Sequence, residues 1–142
     1  HPVDRRQRQM CIRDRLLSEQ YNMLWSTSWI TLYPTLMAIH RKQYDMAFGT
    51  GIVFLTSINF WKDPSNQTNR LIDITAVRCV LLYQLYNSIV KRKKMFWVFA
   101  STGIASYLVG CHFYRREKLW LYTYCHFGLH ILGNCGNFTL LE

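Results

Sequence analysis

The chain has 142 residues, of which 50% are hydrophobic, and 17 Lys and Arg residues against 8 Asp and Glu residues give it a formal net charge of +9 at pH 7. From Met23 to Leu141, nearly all of the charge lies in short loops between five long apolar stretches, a pattern typical of a multi-pass membrane protein. No phosphate-binding loop, nucleophile elbow or paired carboxylate is visible in the sequence, and nothing in the basic loops favours nucleic acid as a partner.

The first fifteen residues form a segment unlike the rest of the chain. Residues 5–15 resemble a translated sequencing adapter over their whole length, so residues 1–15 are predicted to be artefactual and to lie outside the fold; the alternative is a basic targeting arm. Removing their five Arg and two Asp residues lowers the formal charge from +9 to +6. Residues 16–142 are predicted to form a single transmembrane domain. We expect this domain to be a fragment that is truncated at both ends, because the chain starts at His1 rather than at Met and stops directly after an apolar run.

Five apolar segments follow in chain order and predict the fold. A helix needs roughly 20 apolar residues to cross the hydrocarbon layer, and only helices and closed barrels satisfy their backbone polar groups there. Segments of this length predict an all-α fold, a polytopic transmembrane helix bundle with about five spans. The spans are predicted near residues 23–39, 46–61, 71–90, 95–114 and 119–141.

The loops between these spans predict the orientation and the surroundings of the chain. The first and third loops hold six Lys and Arg residues and the second and fourth hold five. This difference of one residue favours an external or lumenal N-terminus under the positive-inside rule. Basic loops next to spans fit contact with anionic headgroups. We therefore expect the lipid bilayer and other membrane helices as partners, and an endomembrane or plasma-membrane location.

Two features within the spans predict how the helices pack. Gly103, Ser106 and Gly110 share one face of the fourth span, and small residues of this kind let membrane helices approach each other closely. This face is predicted to touch a neighbouring helix. Pro34 lacks an N–H group and clashes with the preceding turn, so we expect it to loosen the first helix and to mark a kink there.

Polar residues recur at helical spacing within two of the spans. One face of the third span holds Asp73, Gln84 and Asn87, and one face of the last span holds Thr123, His126, His130, Asn134 and Asn137. Polar and ionisable groups in a membrane usually face a bundle interior or a wet cavity, so both stripes are functional candidates. Histidines at i and i+4 present two imidazoles to one cation, which predicts a metal site with zinc as the cofactor. The alternative is that both are neutral interior residues that hold helices together.

The candidate site residues can be compared in depth, because the second and fourth loops lie on the same side of the membrane. Counting from those loops at about 1.5 Å per residue, Asp73 and His112 lie roughly 3 to 5 Å deep, Ser57 about 6 Å, and the two histidines of the last span roughly 10 and 16 Å. These groups can therefore converge in one leaflet. His112 is the candidate for a third metal ligand.

The order Ser57, Asp73, His126-x-x-x-His130 resembles the core pattern of the CREST superfamily, which holds alkaline ceramidases, adiponectin receptors and related membrane hydrolases. The resemblance implies a Zn²⁺ ion held by three histidines and a water activated for attack on a lipid amide. It implies that His126 and His130 are metal ligands. It also implies that Asp73 is the catalytic base or orienting residue, with Ser57 as its partner.

The chain departs from that pattern in two places. Trp61 stands four residues after Ser57, where the family has its first histidine, and an indole cannot ligate zinc. A single additional helix separates the helix of Asp73 from that of His126, where the family has three. These departures leave the third ligand open, with His112 as the substitute that the chain offers.

Three functions remain open on the sequence alone. The first is metal-dependent hydrolysis of a membrane lipid amide, with Asp73, His126 and His130 at its centre. The second is a small carrier or channel that uses Asp73, Arg78 and the histidines as a polar path. The third is a non-enzymatic assembly subunit whose polar stripes only bind other helices. Whether the protein is an enzyme is uncertain at this point.

Overall fold

The computed structural model describes residues 16–142, and the predicted adapter-like segment at residues 1–15 lies outside the described residues. The elements are α1 (Ser18–Ser28), a 3₁₀ turn (Trp29–Thr31), α2 (Leu32–His40), α3 (Tyr44–Lys62), α4 (Gln67–Val90), α5 (Lys94–Arg115) and α6 (Leu119–Leu141). No β-strand occurs between residues 16 and 142. The predicted all-α fold is confirmed for this part of the chain.

The loosening expected at Pro34 takes the form of the 3₁₀ turn just before it. Proline has no N–H group to donate to the carbonyl four residues earlier, which loosens the helix at that point. The dihedral angles at Trp29 (φ −63°, ψ −23°) and Leu32 (φ −63°, ψ −35°) stay in the right-handed helical region. Because of this, α1, the 3₁₀ turn and α2 continue as one helical rod, here called the first rod. Each predicted apolar segment thus lies within one of five rods.

Three of the four connections between rods share one backbone conformation. Lys42, Arg92 and Glu117 adopt positive φ angles of 58°, 54° and 61°. The residue after each of them donates its N–H to the carbonyl five residues earlier. These donors are Gln43 (2.9 Å), Lys93 (2.9 Å) and Lys118 (3.0 Å). This is the Schellman pattern that ends many helices. It reverses the chain within three residues, so consecutive rods run antiparallel.

The first and third loops meet at the end of α6. Arg41 donates a hydrogen bond to the carbonyl of Leu141 over 2.5 Å, and Lys91 donates one to the carbonyl of Leu140 over 3.2 Å. Gln43 also binds the Leu141 carbonyl, over 3.2 Å. Cations are favourable at a helix C-terminus because the last carbonyls carry partial negative charge. These contacts place both loops at the same end of the bundle.

The rods pack in an order that leaves one side open. α5 lies along α6 over much of its length, α6 also packs on the first rod, and α3 lies between the first rod and α4. A methyl group added at Gly110 would lie 3.0 Å from Cβ of Cys125, and the Ser106 hydroxyl donates to the Cys125 carbonyl over 2.8 Å. The predicted contact face of Gly103, Ser106 and Gly110 is therefore confirmed as the α5–α6 interface. By contrast, α4 contacts α5 only sparsely.

Burial in this bundle is inverted relative to a water-soluble protein. Among residues 16–142, fourteen polar or charged side chains are buried against eight hydrophobic ones. Large apolar side chains lie outside instead; Phe48 is 71% exposed and Leu82 is 68% exposed. The polar stripes of α4 and α6 therefore face the interior, and the apolar faces of the helices form the exterior.

Within the described part of the chain, α5 is the one helix that is long and apolar enough to cross a membrane when length and composition alone are considered. It is also a peripheral helix that is mostly exposed. The finer expectation of about five spans stays a prediction.

Candidate functional site in the helix bundle

The predicted pair of Ser57 and Asp73 is brought together between α3 and α4. The Ser57 hydroxyl donates a hydrogen bond of 2.7 Å to Oδ1 of Asp73, and the Thr56 hydroxyl donates one of 2.9 Å to the same oxygen. Ser57 and Asp73 are both buried. Two hydroxyl donors thus satisfy a carboxyl group that would otherwise be costly to bury. Thr56 was missed in the sequence reading, although its hydroxyl next to Ser57 was a visible signal.

The two histidines of α6 lie against each other, as their spacing predicts. The ring centroids of His126 and His130 are 5.0 Å apart, with the planes at 71°. Aromatic rings surround His126 on its other sides: Trp61 at 5.1 Å, Tyr122 at 5.7 Å and Tyr107 at 6.4 Å. Its Nδ1 is buried and has no hydrogen-bond partner among the described residues. This unpaired nitrogen is the chemically open position of the site.

His130 differs from His126 because it has a polar partner on the first rod. Its Nδ1 lies 2.8 Å from the Thr27 hydroxyl oxygen, and that hydroxyl also donates to the Leu24 carbonyl over 3.0 Å. The hydroxyl has one proton, so Nδ1 of His130 donates in the shorter contact when that proton is directed at Leu24 and accepts when it is directed at His130.

Trp61 connects the Ser57–Asp73 pair to the histidines. It lies one helical turn after Ser57 on α3, and its ring contacts that of His126 edge to face. The position that the family resemblance assigns to a third histidine is therefore next to the His126–His130 pair, but an indole fills it. His112 lies on the exposed surface near the end of α5, with its ring 6.0 Å from that of Phe113.

These residues do not fit the three-histidine zinc site that the resemblance implies. Zn²⁺ in proteins takes three or four side-chain ligands. Between residues 16 and 142, no three His, Cys, Asp or Glu side chains lie close enough to hold a metal ion together. The site offers two imidazoles, one fewer than the family pattern supplies.

Three of the remaining polar residues of the stripes, Gln84, Asn134 and Asn137, form hydrogen bonds between rods. The Thr123 hydroxyl bonds within α6, and Nδ2 of Asn87 has no hydrogen-bond partner among the described residues. The hydrogen bonds that join different rods include Thr31 with Asn134 (3.3 Å), Thr35 with Thr50 (3.0 Å) and Gln84 with Asn137 (2.6 Å). Three of the partners, Thr27, Thr31 and Thr35, recur every four residues along the first rod. The sequence contained this signal, but threonines at helical spacing were not recognised as a third stripe.

Comparison of the chain with protein-family models, with curated proteins and with solved structures finds no match.

Proposed function

We propose that the chain is an integral membrane protein in which all five rods cross the bilayer. The rods have 19 to 24 residues, and at about 1.5 Å per residue even α3 is about 28 Å long, close to the hydrocarbon thickness of about 30 Å. For four of the rods, the average hydropathy of the sequence understates how apolar the outward surface is, because their polar residues lie on inward faces. The exposed faces of α3 and α4 carry large apolar residues such as Phe48, Leu55 and Leu82.

Membrane placement also explains the inverted burial. In water, an exterior of this kind would be a set of apolar patches prone to association. In lipid, the same exterior is matched to its solvent, and helices associate through close packing and through hydrogen bonds between inward polar groups. Both devices are present, as small residues between α5 and α6 and as polar pairs between the other rods.

For the biochemical role, we propose a non-enzymatic membrane subunit whose polar interior holds its helices together. The observation that carries this proposal is the use of the polar stripes in contacts between rods. His130 is bound to Thr27, Asn134 to Thr31, and Asp73 to the hydroxyls of α3. Side chains that hold each other in this way are not available to a substrate.

Metal-dependent hydrolysis of a lipid amide is the second candidate, and one specific observation favours it. The Ser57–Asp73 hydrogen bond lies beside His126, whose Nδ1 is unpaired. A third protein ligand would have to come from outside the arrangement described here. The carrier hypothesis has less support, because Arg78 lies on the exposed face of α4 while Asp73 is buried against α3.

Zinc content separates the two candidates. We would purify the parent chain in detergent beside a His126→Ala/His130→Ala variant and a Trp61→His variant, and would measure zinc by mass spectrometry after confirming equal helicity. The subunit proposal expects negligible zinc in the parent and in the double variant, and a gain of zinc in Trp61→His, which supplies a third imidazole beside the first two. Near-stoichiometric zinc in the parent that is lost in the double variant would instead make the hydrolase candidate the leading one and would call for a lipid-amide hydrolysis assay.

The membrane placement is tested separately by labelling single cysteines in the loops of a cysteine-free background. Cysteines at positions 42 and 92 are expected to react with an impermeant reagent from one side of sealed vesicles, and cysteines at positions 65 and 117 from the other side. Labelling of all four positions from the same side would exclude five alternating spans.

A further inference from the structure

The helices α4 and α5 are consecutive, yet they touch each other only sparsely, and the side of the bundle between them is here called the cleft. Two arginines, Arg70 and Arg78, lie exposed on α4, and Tyr107 of α5 is 41% exposed. The hydroxyl of Tyr107 lies within electrostatic range of both guanidinium groups, and Tyr122 of α6 lies within range of Arg70. Both cations are therefore near the same edge of α5.

Neither arginine has a counter-ion in the described part of the chain. Neither guanidinium group forms an ion pair or a hydrogen bond with any residue from 16 to 142. The nearest acidic residue along α4, Asp73, is buried against α3, where two hydroxyl groups hold it. The cleft thus presents two positive charges without a carboxylate that would neutralise them.

The depth of the arginines makes this lack of partners significant. Arg70 and Arg78 are the fourth and twelfth residues of α4, which places them about 5 Å and 17 Å along the helix at 1.5 Å per residue. A cation at the depth of Arg78 is costly in lipid unless its side chain snorkels toward the interface or meets an anion. Arg115 and Arg116, at the end of α5, add further positive charge on the same side.

We propose that this cleft binds the phosphate of an anionic membrane lipid between Arg70 and Arg78, with Tyr107 as its opposite wall. Guanidinium groups match phosphate oxygens through paired, charge-assisted hydrogen bonds. The acyl chains of the lipid then lie along exposed apolar side chains of the two helices, such as Val77 and Leu108. This inference rests on the proposed membrane placement.

The site is distinct from the His126–His130 pair but close to it. The Tyr107 ring lies between the cleft and the interior, with its centroid 6.4 Å from that of His126. A lipid held here would cover the sparsely packed side of the bundle without breaking any of the hydrogen bonds between rods. It would also supply the counter-ion that the described residues do not.

The experiment is lipid retention by the whole chain, measured by native mass spectrometry in detergent. The probes are phosphatidylglycerol, phosphatidylcholine with the same acyl chains, and inorganic phosphate. The test variant is Arg70→Gln/Arg78→Gln. The matched control is Arg92→Gln/Lys94→Gln, which removes the same charge from exposed positions at the opposite end of the bundle. Residues 1–15 are common to all samples, so their contribution cancels.

We expect the parent to retain phosphatidylglycerol over phosphatidylcholine, and the test variant to lose this preference by about tenfold while the control changes by less than about twofold. Equal losses in both variants, or no preference in the parent, would overturn the proposal. Displacement of the lipid by millimolar inorganic phosphate would overturn the lipid as occupant. If the loops are labelled from alternating sides but the lipid preference is absent, the lipid site is wrong while the membrane placement stands. If all loops are labelled from the same side, the membrane placement itself is wrong.

Discussion

The two interfaces of α6 show two different ways of joining helices. On one side, α5 approaches closely through Gly103 and Gly110, and the one side-chain hydrogen bond described there runs from Ser106 to a backbone carbonyl. On the other side, the first rod meets α6 through two side-chain hydrogen bonds one turn apart, Thr27 with His130 and Thr31 with Asn134. The first interface depends on the absence of side-chain volume, and the second on matched polar groups. In a membrane each is a recognised substitute for the missing hydrophobic driving force.

This contrast implies that the two interfaces respond to different substitutions. Added volume should damage the α5–α6 interface and leave the other intact. Removal of a hydroxyl group should do the reverse.

The largest expected effect is on the close-packed interface. Gly110→Leu places a side chain where even a Cβ atom would lie 3.0 Å from Cβ of Cys125. We expect a loss of about 3 kcal/mol in the free energy of unfolding, at the upper end of the range for overpacking. Thermal unfolding in detergent, followed by circular dichroism, measures it.

The matched control is Gly133→Leu on α6. A Cβ atom at Gly133 meets nothing within 4 Å, and the residue is exposed. Leucine has the higher helix propensity, so this variant should be as stable as the parent or more stable. Equal destabilisation by both substitutions would mean that close packing at Gly110 is not the cause.

A smaller effect is expected on the hydrogen-bonded interface. Thr27→Val keeps the shape of the side chain but leaves Nδ1 of His130 without its partner. We expect a loss of about 1 kcal/mol, the usual net value of such a bond. Thr102→Val is the control, because Thr102 is exposed on α5 and its hydroxyl bonds only to its own helix. A Thr27→Val protein as stable as the Thr102→Val protein would show that the histidine contact contributes nothing to stability.

The smallest effect is expected at the edge of the bundle, where water competes for polar groups. The Tyr83 hydroxyl donates a hydrogen bond to Asp45 and holds the pKa of that exposed carboxyl group below its usual value. A carboxyl group whose pKa is lower in the folded state than in the unfolded state stabilises the fold at pH values above the unfolded-state pKa. This contribution is lost as the pH falls through the folded-state pKa.

Tyr83→Phe should therefore reduce stability at neutral pH by less than about 0.5 kcal/mol, because the pair is solvent-screened. The difference from the parent should begin to shrink below about pH 4, near the ordinary pKa of an aspartate, and should vanish once the pH falls below the lowered pKa of Asp45 in the parent. Unfolding midpoints of the parent and the Tyr83→Phe variant at neutral and acid pH measure this difference in stability. A difference that stays constant with pH would assign the effect to packing of the ring instead of to the carboxyl group.

Several features of the site could be predicted from particular residues. Periodicity predicted that His126 and His130 share a face with Asn134 and Asn137, because 3.6 residues per turn determines which side chains align. The pairing of Ser57 with Asp73 was implied by the CREST resemblance, and their similar depths below the second loop predicted that they lie in the same leaflet. The contact made by Gly103 and Gly110 followed from their small size.

Other features could not be predicted, because they depend on which helices become neighbours. Thr27 and His130 are 103 positions apart, as are Thr31 and Asn134. Periodicity shows which face of a helix turns inward, but not which helix that face meets. For the same reason, the contact of Trp61 with His126 and the opening between α4 and α5 were not visible in the sequence.

The sequence by itself determined the helical rods, their apolar exteriors and the polar faces of α4 and α6, because those properties depend on local propensity and on spacing along one helix. Only the tertiary structure decided that His130 is hydrogen-bonded while His126 is enclosed by aromatic rings, and that Trp61 occupies the place beside them. The physical reason is that a side chain's partners are set by the packing of separate helices, in which volume, hydrogen bonds and loop lengths act together.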